Sequence, residues 1–180
     1  SEKFFGTNPI SFAWPRPGKN PVCYDMATSA MALGDVQIAA RDGKTVPIGT
    51  GLDKDGKQTT DPAKIADGVL LPFGGYKGSA IALMVELLAA GLTSERFSYE
   101  AAEKDNGDGG PPRGGEMIIA LSPSLIAGDG WEDHVEGFMD RLMLLKGVRI
   151  PGARRYKNRL DKGPRLVNEE LIQTINALSV

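Results

Sequence analysis

A chain of 180 residues with a formal net charge of −2 is long enough for one ordinary domain with a hydrophobic core. Hydrophobic residues make up 41% and charged residues 24% of the chain, a balance typical of globular proteins that excludes a disordered chain. The absence of a strongly basic block argues against nucleic acid as a partner. A single cysteine, Cys23, and a single histidine, His134, exclude a disulfide framework and a multi-ligand zinc site within this chain, so we expect no bound metal.

The beginning of the chain carries no secretory signal pattern, and its first residue is serine. We therefore expect a cytoplasmic location and a piece of a longer polypeptide, whose active site is incomplete in this chain. The longest apolar run, Ala80 to Leu92, is about 13 residues and falls short of the ~20 that a membrane helix needs. The sequence thus predicts a buried helix there and no membrane partner.

Apolar periodicity and turn residues predict a mixed α/β domain. We predict strands over 9–14, 22–24, 69–73 and 116–121, and helices over 29–41, 80–92, 131–146 and 169–178. Asp61 followed by Pro62 predicts the start of a further helix, because Asp caps a helix and Pro suits its first position. We expect a polar loop or hairpin over 44–60, a flexible loop over 103–115 and an irregular basic segment over 152–165. No strand is followed by the G-x-G-x-x-G of a Rossmann unit.

The segment 74–79 (GGYKGS) lies between a predicted strand and the predicted buried helix. The first amides of a helix have no partners within it, and the helix dipole favours negative charge at that end. Lys77 adds a full positive charge, and the glycines permit close approach of a ligand. These features predict an anion site, although the Walker spacing is not met. The alternative is that the glycines serve only a tight turn.

Asp25 follows the short apolar strand 22–24. A carboxylate in an apolar setting needs a partner. It has two interpretations: a cap for the helix that follows, or a group that orients or stabilises a substrate.

A cationic cluster lies near the end of the chain and comprises Arg149, Arg154, Arg155, Lys157 and Arg159. Arginine side chains match phosphate oxygens in geometry and charge. The cluster therefore has two interpretations, a phosphate-binding surface or a solvated tail.

Four motifs occur in order along the chain: GTNPI over 6–10, DMATS over 25–29, TTDP over 59–62 and LPFGGYKG over 71–78. In these motifs the sequence resembles the type-2 malate/L-lactate dehydrogenase family of NAD(P)H-dependent oxidoreductases. The similarity runs through nearly all 180 residues. The segments FAWPR over 12–16 and DNGDGGPPRGGE over 105–116 most resemble the branch of cyclic imine reductases that act on Δ1-piperideine-2-carboxylate or Δ1-pyrroline-2-carboxylate.

This resemblance implies a predominantly antiparallel sheet flanked by helices, a cofactor domain without the Rossmann fold, and a homodimer. Family members are about twice as long, so this chain would be the C-terminal half. Residues 1–150 would form most of the cofactor-binding domain, and residues 151–180 a basic segment and helix that pack on the rest of the enzyme. The family's catalytic histidine and carboxylate-binding arginine would lie in the N-terminal half, which would be a partner of this chain.

The resemblance also implies roles for individual residues. Asp25 would be catalytic, close to the reacting carbon. Thr7 and Asn8 would border the substrate pocket. The cofactor, NADPH or NADH, would contact Asp25, Met26, Ala27, Tyr76, Lys77, Arg154 and Arg155. The two arginines favour NADPH, because they match its additional phosphate.

The activity implied is reduction of a cyclic imino acid to L-pipecolate or L-proline. A fixed carboxylate such as Asp25 would favour the cationic iminium form that accepts hydride. Two alternatives stay open. One is a malate/L-lactate-type 2-hydroxyacid dehydrogenase acting on a 2-keto acid, and the other is a nucleotide-binding module without enzymatic activity.

Overall fold

The computed structural model describes residues 2–107 and 112–178. The described strands are β1 (Ile10–Trp14), β2 (Val22–Met26), β3 (Gly51–Leu52), β4 (Gln58–Thr59) and β5 (Val69–Leu70). The helices are α1 (Leu33–Arg41), α2 (Pro62–Asp67), α3 (Tyr76–Val85), α4 (Ser98–Glu103), α5 (Pro123–Ala127), α6 (Trp131–Met143), α7 (Ala153–Leu160) and α8 (Glu169–Ala177), with a π-helical segment over Glu86–Gly91. The predicted mixed α/β class is confirmed.

Every strand pair in the described ranges is antiparallel. β1 pairs with β2 in a hairpin whose register sets Ser11 opposite Asp25 and Ile10 opposite Met26. β3 lies between β4 and β5 in a second, three-stranded sheet. The hairpin predicted within 44–60 is confirmed as β3 and β4.

A small hydrophobic core lies between α1, α2 and the second sheet. Its buried members are Val36 of α1, Ile65 of α2, and Val46 in the connection between α1 and β3. The predicted start of α2 is confirmed, since the Asp61 carboxylate accepts from the amides of Ala63 at 3.0 Å and Lys64 at 3.4 Å. This core holds the second sheet and the strand that leads into α3.

The predicted helix is confirmed, but it begins earlier and changes type. The prediction that it is buried is wrong for most of its length, because Ala82, Glu86 and Ala90 are buried whereas its leucines are largely exposed, Leu87 at 54%. α3 begins at Tyr76, directly after the glycine turn, and the chain continues at Glu86 as the π-helical segment. π-helical turns are rare in proteins, and those that occur are often found at functional sites.

The predicted strand 116–121 is wrong in this chain. Its backbone makes no hydrogen bond to any residue in 2–107 or 112–178, and its apolar side chains face outwards, Ile118 with 89% of its surface exposed. A strand needs a neighbour to satisfy its backbone groups, and the described chain supplies none.

The segment 152–165 is not irregular throughout. α7 occupies Ala153–Leu160, beginning after Gly152, whose φ of 88° is left-handed. Arg and Lys are good helix formers, but the high charge of this stretch left no apolar period from which to predict the helix.

The predicted helix over 29–41 begins only at Leu33. Residues 108–111 of the predicted loop, and of the DNGDGGPPRGGE segment, lie outside the described residues. No helix in the described ranges is long and apolar enough to cross a membrane.

Candidate functional site

Three of the four motifs meet at the buried residue Thr28, which is 2% exposed. Its backbone N–H and its hydroxyl both donate to the carbonyl oxygen of Thr7, at 2.9 and 3.1 Å. Its own carbonyl oxygen accepts from the N–H of Phe73 at 3.0 Å. The segment that carries Asp25 is therefore held between the Thr7 segment and the glycine turn.

A second set of contacts extends this junction. The Ala30 N–H donates to the Leu71 carbonyl oxygen at 2.7 Å, and Ser29 forms an isolated antiparallel bridge with Pro72. The chain entering the glycine turn thus runs beside the chain leaving β2. Residues far apart in sequence are fixed next to each other by backbone contacts, which tolerate changes of side chain.

The strand β2 presents Asp25 to solvent. Asp25 lies inside the strand, opposite Ser11, and its side chain is exposed. Within the described part of the chain its carboxylate has no hydrogen-bond donor and no ion-pair partner. The interpretation of Asp25 as a helix cap is wrong, because α1 begins after Ala32 and has no side-chain cap. The carboxylate therefore makes no stabilising contact with the described residues. Beside it, Met26 is exposed and Ala27 is half-buried.

The turn over 74–78 requires glycine at three positions and leaves the start of α3 uncapped. Gly74 and Gly75 have φ values of 58° and 63°, which side chains rarely adopt. A Cβ at Gly78 would lie 2.2 Å from the Phe73 carbonyl oxygen, so the helix can lie this close to the incoming strand only with glycine there. α3 begins after Gly75 without any side-chain cap, which leaves its first amides for another partner.

The side chains at the start of α3 are accessible. Tyr76 is 81% exposed and Lys77 is exposed. Lys77 has no carboxylate partner in 2–107 or 112–178. An unpaired ammonium beside uncapped helix amides favours a phosphate or a carboxylate.

The basic helix α7 begins against the strand that carries Asp25. The Cys23 N–H donates to the Pro151 carbonyl oxygen at 3.3 Å, and a Cβ at Gly152 would lie 2.9 Å from the Cys23 carbonyl oxygen. The Arg155 guanidinium lies 3.9 Å from the Cys23 sulfur, and both Arg154 and Arg155 are exposed. The structure therefore brings the two predicted phosphate-binding arginines to the β2 side of the molecule.

Two surface cavities lie elsewhere. One, of about 330 Å³, separates the β1–β2 turn from α7 and is lined by Arg16, Lys19, Asn20, Pro21, Ile150, Ala153, Tyr156, Lys157 and Leu160. The other, of about 540 Å³, is lined by residues between Ala90 and Glu100 and by Arg113. Neither is lined by Asp25 or Lys77. The candidate site is instead defined by the backbone contacts of Thr28 and Ala30, which join the segment after Asp25 to the chain that leads into the turn of Lys77.

An ion-pair cluster holds the β1–β2 hairpin on α6. Arg16 donates to both carboxylate oxygens of Glu136 at 2.6 Å, and Lys19 reaches Glu136 Oε2 at 2.6 Å. These hydrogen bonds, from Arg16 first, lower the pKa of Glu136 from 4.5 to about 2. Glu136 in turn raises the pKa of Arg16. An edge-to-face contact between Trp14 and Trp131, 5.9 Å between centroids, supports the same junction.

Asn8 is the most deeply buried of the predicted site residues. It is 7% exposed, and its Nδ2 donates to the Ala82 carbonyl oxygen at 3.0 Å and to Glu86 Oε1 at 2.8 Å. Its place beside the substrate stays a prediction. Thr28, Glu86 and Ser98 were not among the predicted site residues. For Glu86 the sequence does carry a signal, since it is the only charged residue in the apolar run 80–92.

A match to a family model shows to which protein family the chain belongs. The model described as malate/L-lactate dehydrogenase matches residues 1–176. The chain belongs to this family. The resemblance stated from the four motifs is confirmed.

Among curated relatives, the Δ1-pyrroline-2-carboxylate/Δ1-piperideine-2-carboxylate reductase of Pseudomonas syringae pv. tomato is 47% identical over 159 residues, covering 88% of this chain and 46% of the relative. The (2R)-3-sulfolactate dehydrogenase (NADP(+)) of Chromohalobacter salexigens is 38% identical, covering 98% of this chain and 53% of the relative. The crystal structure of the Pseudomonas syringae Δ1-piperideine-2-carboxylate reductase has a TM-score of 0.85 and 44% identity, covering 94% of this chain and 52% of that one. The chain spans about half the length of these relatives.

Proposed function

We propose that this chain is the cofactor-binding part of an NAD(P)H-dependent oxidoreductase that reduces Δ1-piperideine-2-carboxylate or Δ1-pyrroline-2-carboxylate to L-pipecolate or L-proline. The observation that carries the proposal is the junction at Thr28, which joins the Asp25 segment to the glycine turn of Lys77. The 47% identity to a reductase of these imines supports the choice of substrate. The cytoplasmic location stays a prediction.

The residues at the glycine turn fit a dinucleotide. The uncapped amides of α3 and the unpaired Lys77 suit a diphosphate, and the left-handed Gly74 and Gly75 leave no Cβ in the way. In our proposal Tyr76 and Lys77 hold the cofactor at this end, and Asp25, Met26 and Ala27 line its nicotinamide side. Arg154 and Arg155 bind the adenosine phosphate, which makes NADPH the preferred cofactor over NADH.

The cofactor, when bound, supplies hydride to the substrate. The Asp25 carboxylate stabilises the cationic iminium form of the substrate by charge complementarity, provided that the closed site excludes water. Thr7 and Asn8 border the substrate pocket, and the contact of Thr7 with Thr28 fixes their distance from the Asp25 segment. These residues position and charge-stabilise the substrate but supply no proton donor, which we assign to the other half of the enzyme.

The exposed apolar surface of this chain supports the proposal that the other half of the enzyme covers it. The unpaired segment 116–121 exposes Met117, Ile118, Ile119 and Leu121, and the fully buried core is small. Exposed apolar patches of this kind mark interaction sites. We propose that an N-terminal half pairs with this segment, that residues 1–150 form most of the cofactor domain, that residues 151–180 pack on the rest of the enzyme, and that the whole enzyme is a homodimer.

Complementation tests this function. The chain is co-expressed with the N-terminal half of the Pseudomonas syringae reductase, and that reductase's own C-terminal half with the same partner is the positive control. We expect a complex that oxidises NADPH when Δ1-piperideine-2-carboxylate is added. If the control complex is active and the complex that contains this chain forms but is inactive, the proposal is overturned. NADPH binding without activity towards any imine or keto acid would favour the nucleotide-binding module.

A second function is favoured by one relative. The 38% identity to a (2R)-3-sulfolactate dehydrogenase (NADP(+)) supports a 2-hydroxyacid dehydrogenase. In that reaction Asp25 would orient a histidine general acid supplied by the N-terminal half. Parallel assays with pyruvate, oxaloacetate and Δ1-pyrroline-2-carboxylate separate the two functions, since keto acid reduction with no imine reduction would select the dehydrogenase.

A further inference from the structure

Glu86 is a buried carboxylate inside an otherwise apolar stretch. It is 6% exposed and begins the π-helical segment. No Lys or Arg in the described ranges pairs with it. Its oxygens instead accept from Asn8 Nδ2 at 2.8 Å and from the Ser98 N–H at 3.0 Å, and they contact the Ser98 hydroxyl. A buried carboxylate is costly without such partners, so its presence here calls for a role.

The partner that matters most is Asn8, whose backbone has a φ of 38°. A positive φ outside glycine is uncommon and persists only where surrounding contacts fix it. Every polar atom of the Asn8 side chain is engaged: Nδ2 by Glu86 and the Ala82 carbonyl oxygen, and Oδ1 by the Ser98 hydroxyl at 3.1 Å. Glu86 therefore helps to hold Asn8 in its unusual conformation.

Asn8 transmits this constraint to the candidate site. Its neighbour Thr7 accepts two hydrogen bonds from Thr28, and Thr28 in turn accepts from Phe73 at the glycine turn. An unbroken series of contacts thus runs from Glu86 through Asn8 and Thr7 to the segment that follows Asp25. Misplacement of a substrate-positioning group by about 1 Å can lower a rate by about 10²-fold.

We propose that Glu86 is a positioning residue that acts through Asn8 to place Thr7 at the substrate side of the site. This inference rests on the proposed function. Glu86 touches neither substrate nor cofactor in this account. Its loss should therefore change KM and kcat for the imine while the Kd for NADPH stays the same. The glycine turn is tied to the segment 28–30 by the Phe73–Thr28 and Ala30–Leu71 hydrogen bonds, which do not involve Thr7 and remain when the bond between Thr28 and Thr7 is weakened.

A double-mutant cycle in the complemented enzyme tests the proposal. We expect Glu86→Gln to lower kcat/KM by on the order of 10-fold or more. In an Asn8→Ala background the same change should have an effect of less than about 2-fold, because residues that act through one contact are not additive. Glu103→Gln, on the exposed face of α4, is the matched control and should leave kcat/KM unchanged. Equal effects in both backgrounds would overturn the proposal.

Hydrogen exchange gives a readout that does not depend on activity. In Glu86→Gln the Thr28 amide, bonded to Thr7, should exchange roughly 10-fold faster, while the Val36 amide in the core is unchanged. Unchanged exchange at Thr28 would overturn the positioning role, whether or not the enzyme is active. An inactive wild-type complex with faster exchange in the variant would instead overturn the proposed function alone. Should Glu86→Gln not fold, Ser98→Ala removes one contact of the same network and should shift Thr28 exchange in the same direction.

Discussion

Phe73 donates its backbone N–H to the carbonyl oxygen of Thr28 at 3.0 Å, and this bond joins the chain entering the glycine turn to the segment that follows Asp25 and β2. The bond is between backbone atoms, so it fixes the relative position of two motifs without using their side chains. Asp25 and Lys77 are consequently left without internal partners in the described ranges and are available to a ligand.

Asp25→Asn should lower turnover in the complemented enzyme by about 10²-fold or more, the range of a lost positioned catalytic group. The amide cannot stabilise a cationic substrate, whereas strand pairing with Ser11 is a backbone property and is retained. The measurement is kcat with saturating imine and NADPH. Asp35→Asn, at an exposed position of α1, is the control and should be neutral. Turnover near the wild-type value in Asp25→Asn would remove Asp25 from the reaction.

Gly78→Ala should destabilise the protein by about 1–3 kcal/mol, because the new Cβ would meet the Phe73 carbonyl oxygen at 2.2 Å. The matched control is Gly137→Ala, inside α6 and with nothing within 4 Å of its added Cβ. This control should stabilise by about 0.4–1 kcal/mol, since alanine is the better helix former. Urea unfolding measures both. Equal effects of the two variants would contradict the close approach at Gly78.

Local features of this fold could be predicted from the sequence, whereas contacts between distant segments could not. The helix start at Asp61 and Pro62 was predictable because its signal is local. The glycine turn was predictable as a turn, but its bond to Thr28 was not, since no spacing rule links residues so far apart. The strand 116–121 was mispredicted because a continuous apolar run indicates a tendency to form a strand but cannot supply the neighbouring strand. Glu86 stood out as a lone charge, yet only the fold brings it to Asn8.

The ion pair between Arg16 and Glu136 should make stability depend on pH in the acid range. The pKa of Glu136 falls from 4.5 to about 2 on folding, so its contribution is fully present above pH 4.5 and is lost as the pH falls towards 2. Glu136→Gln should therefore reduce the free energy of unfolding at neutral pH, and the difference from wild type should shrink between pH 4.5 and 2. A difference that is constant over this range, in urea unfolding at each pH, would contradict the assignment.

Arg154→Ala and Arg155→Ala should weaken NADPH more than NADH. Hydrogen bonds to charged groups contribute about 1.5–3 kcal/mol, so we expect the Kd for NADPH to rise roughly 10-fold or more. The Kd for NADH should change little, because it lacks the additional phosphate. Cofactor fluorescence gives both constants, and Arg141→Ala, at an exposed position of α6 outside the cationic cluster, is the control. Parallel changes for the two cofactors would remove the arginines from the phosphate site.

The most direct test of the shared site is a map of amide hydrogen exchange in the complemented enzyme with and without NADPH. Our account predicts slower exchange at both 25–28 and 74–78, with one common Kd, and unchanged exchange in α8. Protection of only one segment, or of neither while NADPH binds, would contradict it.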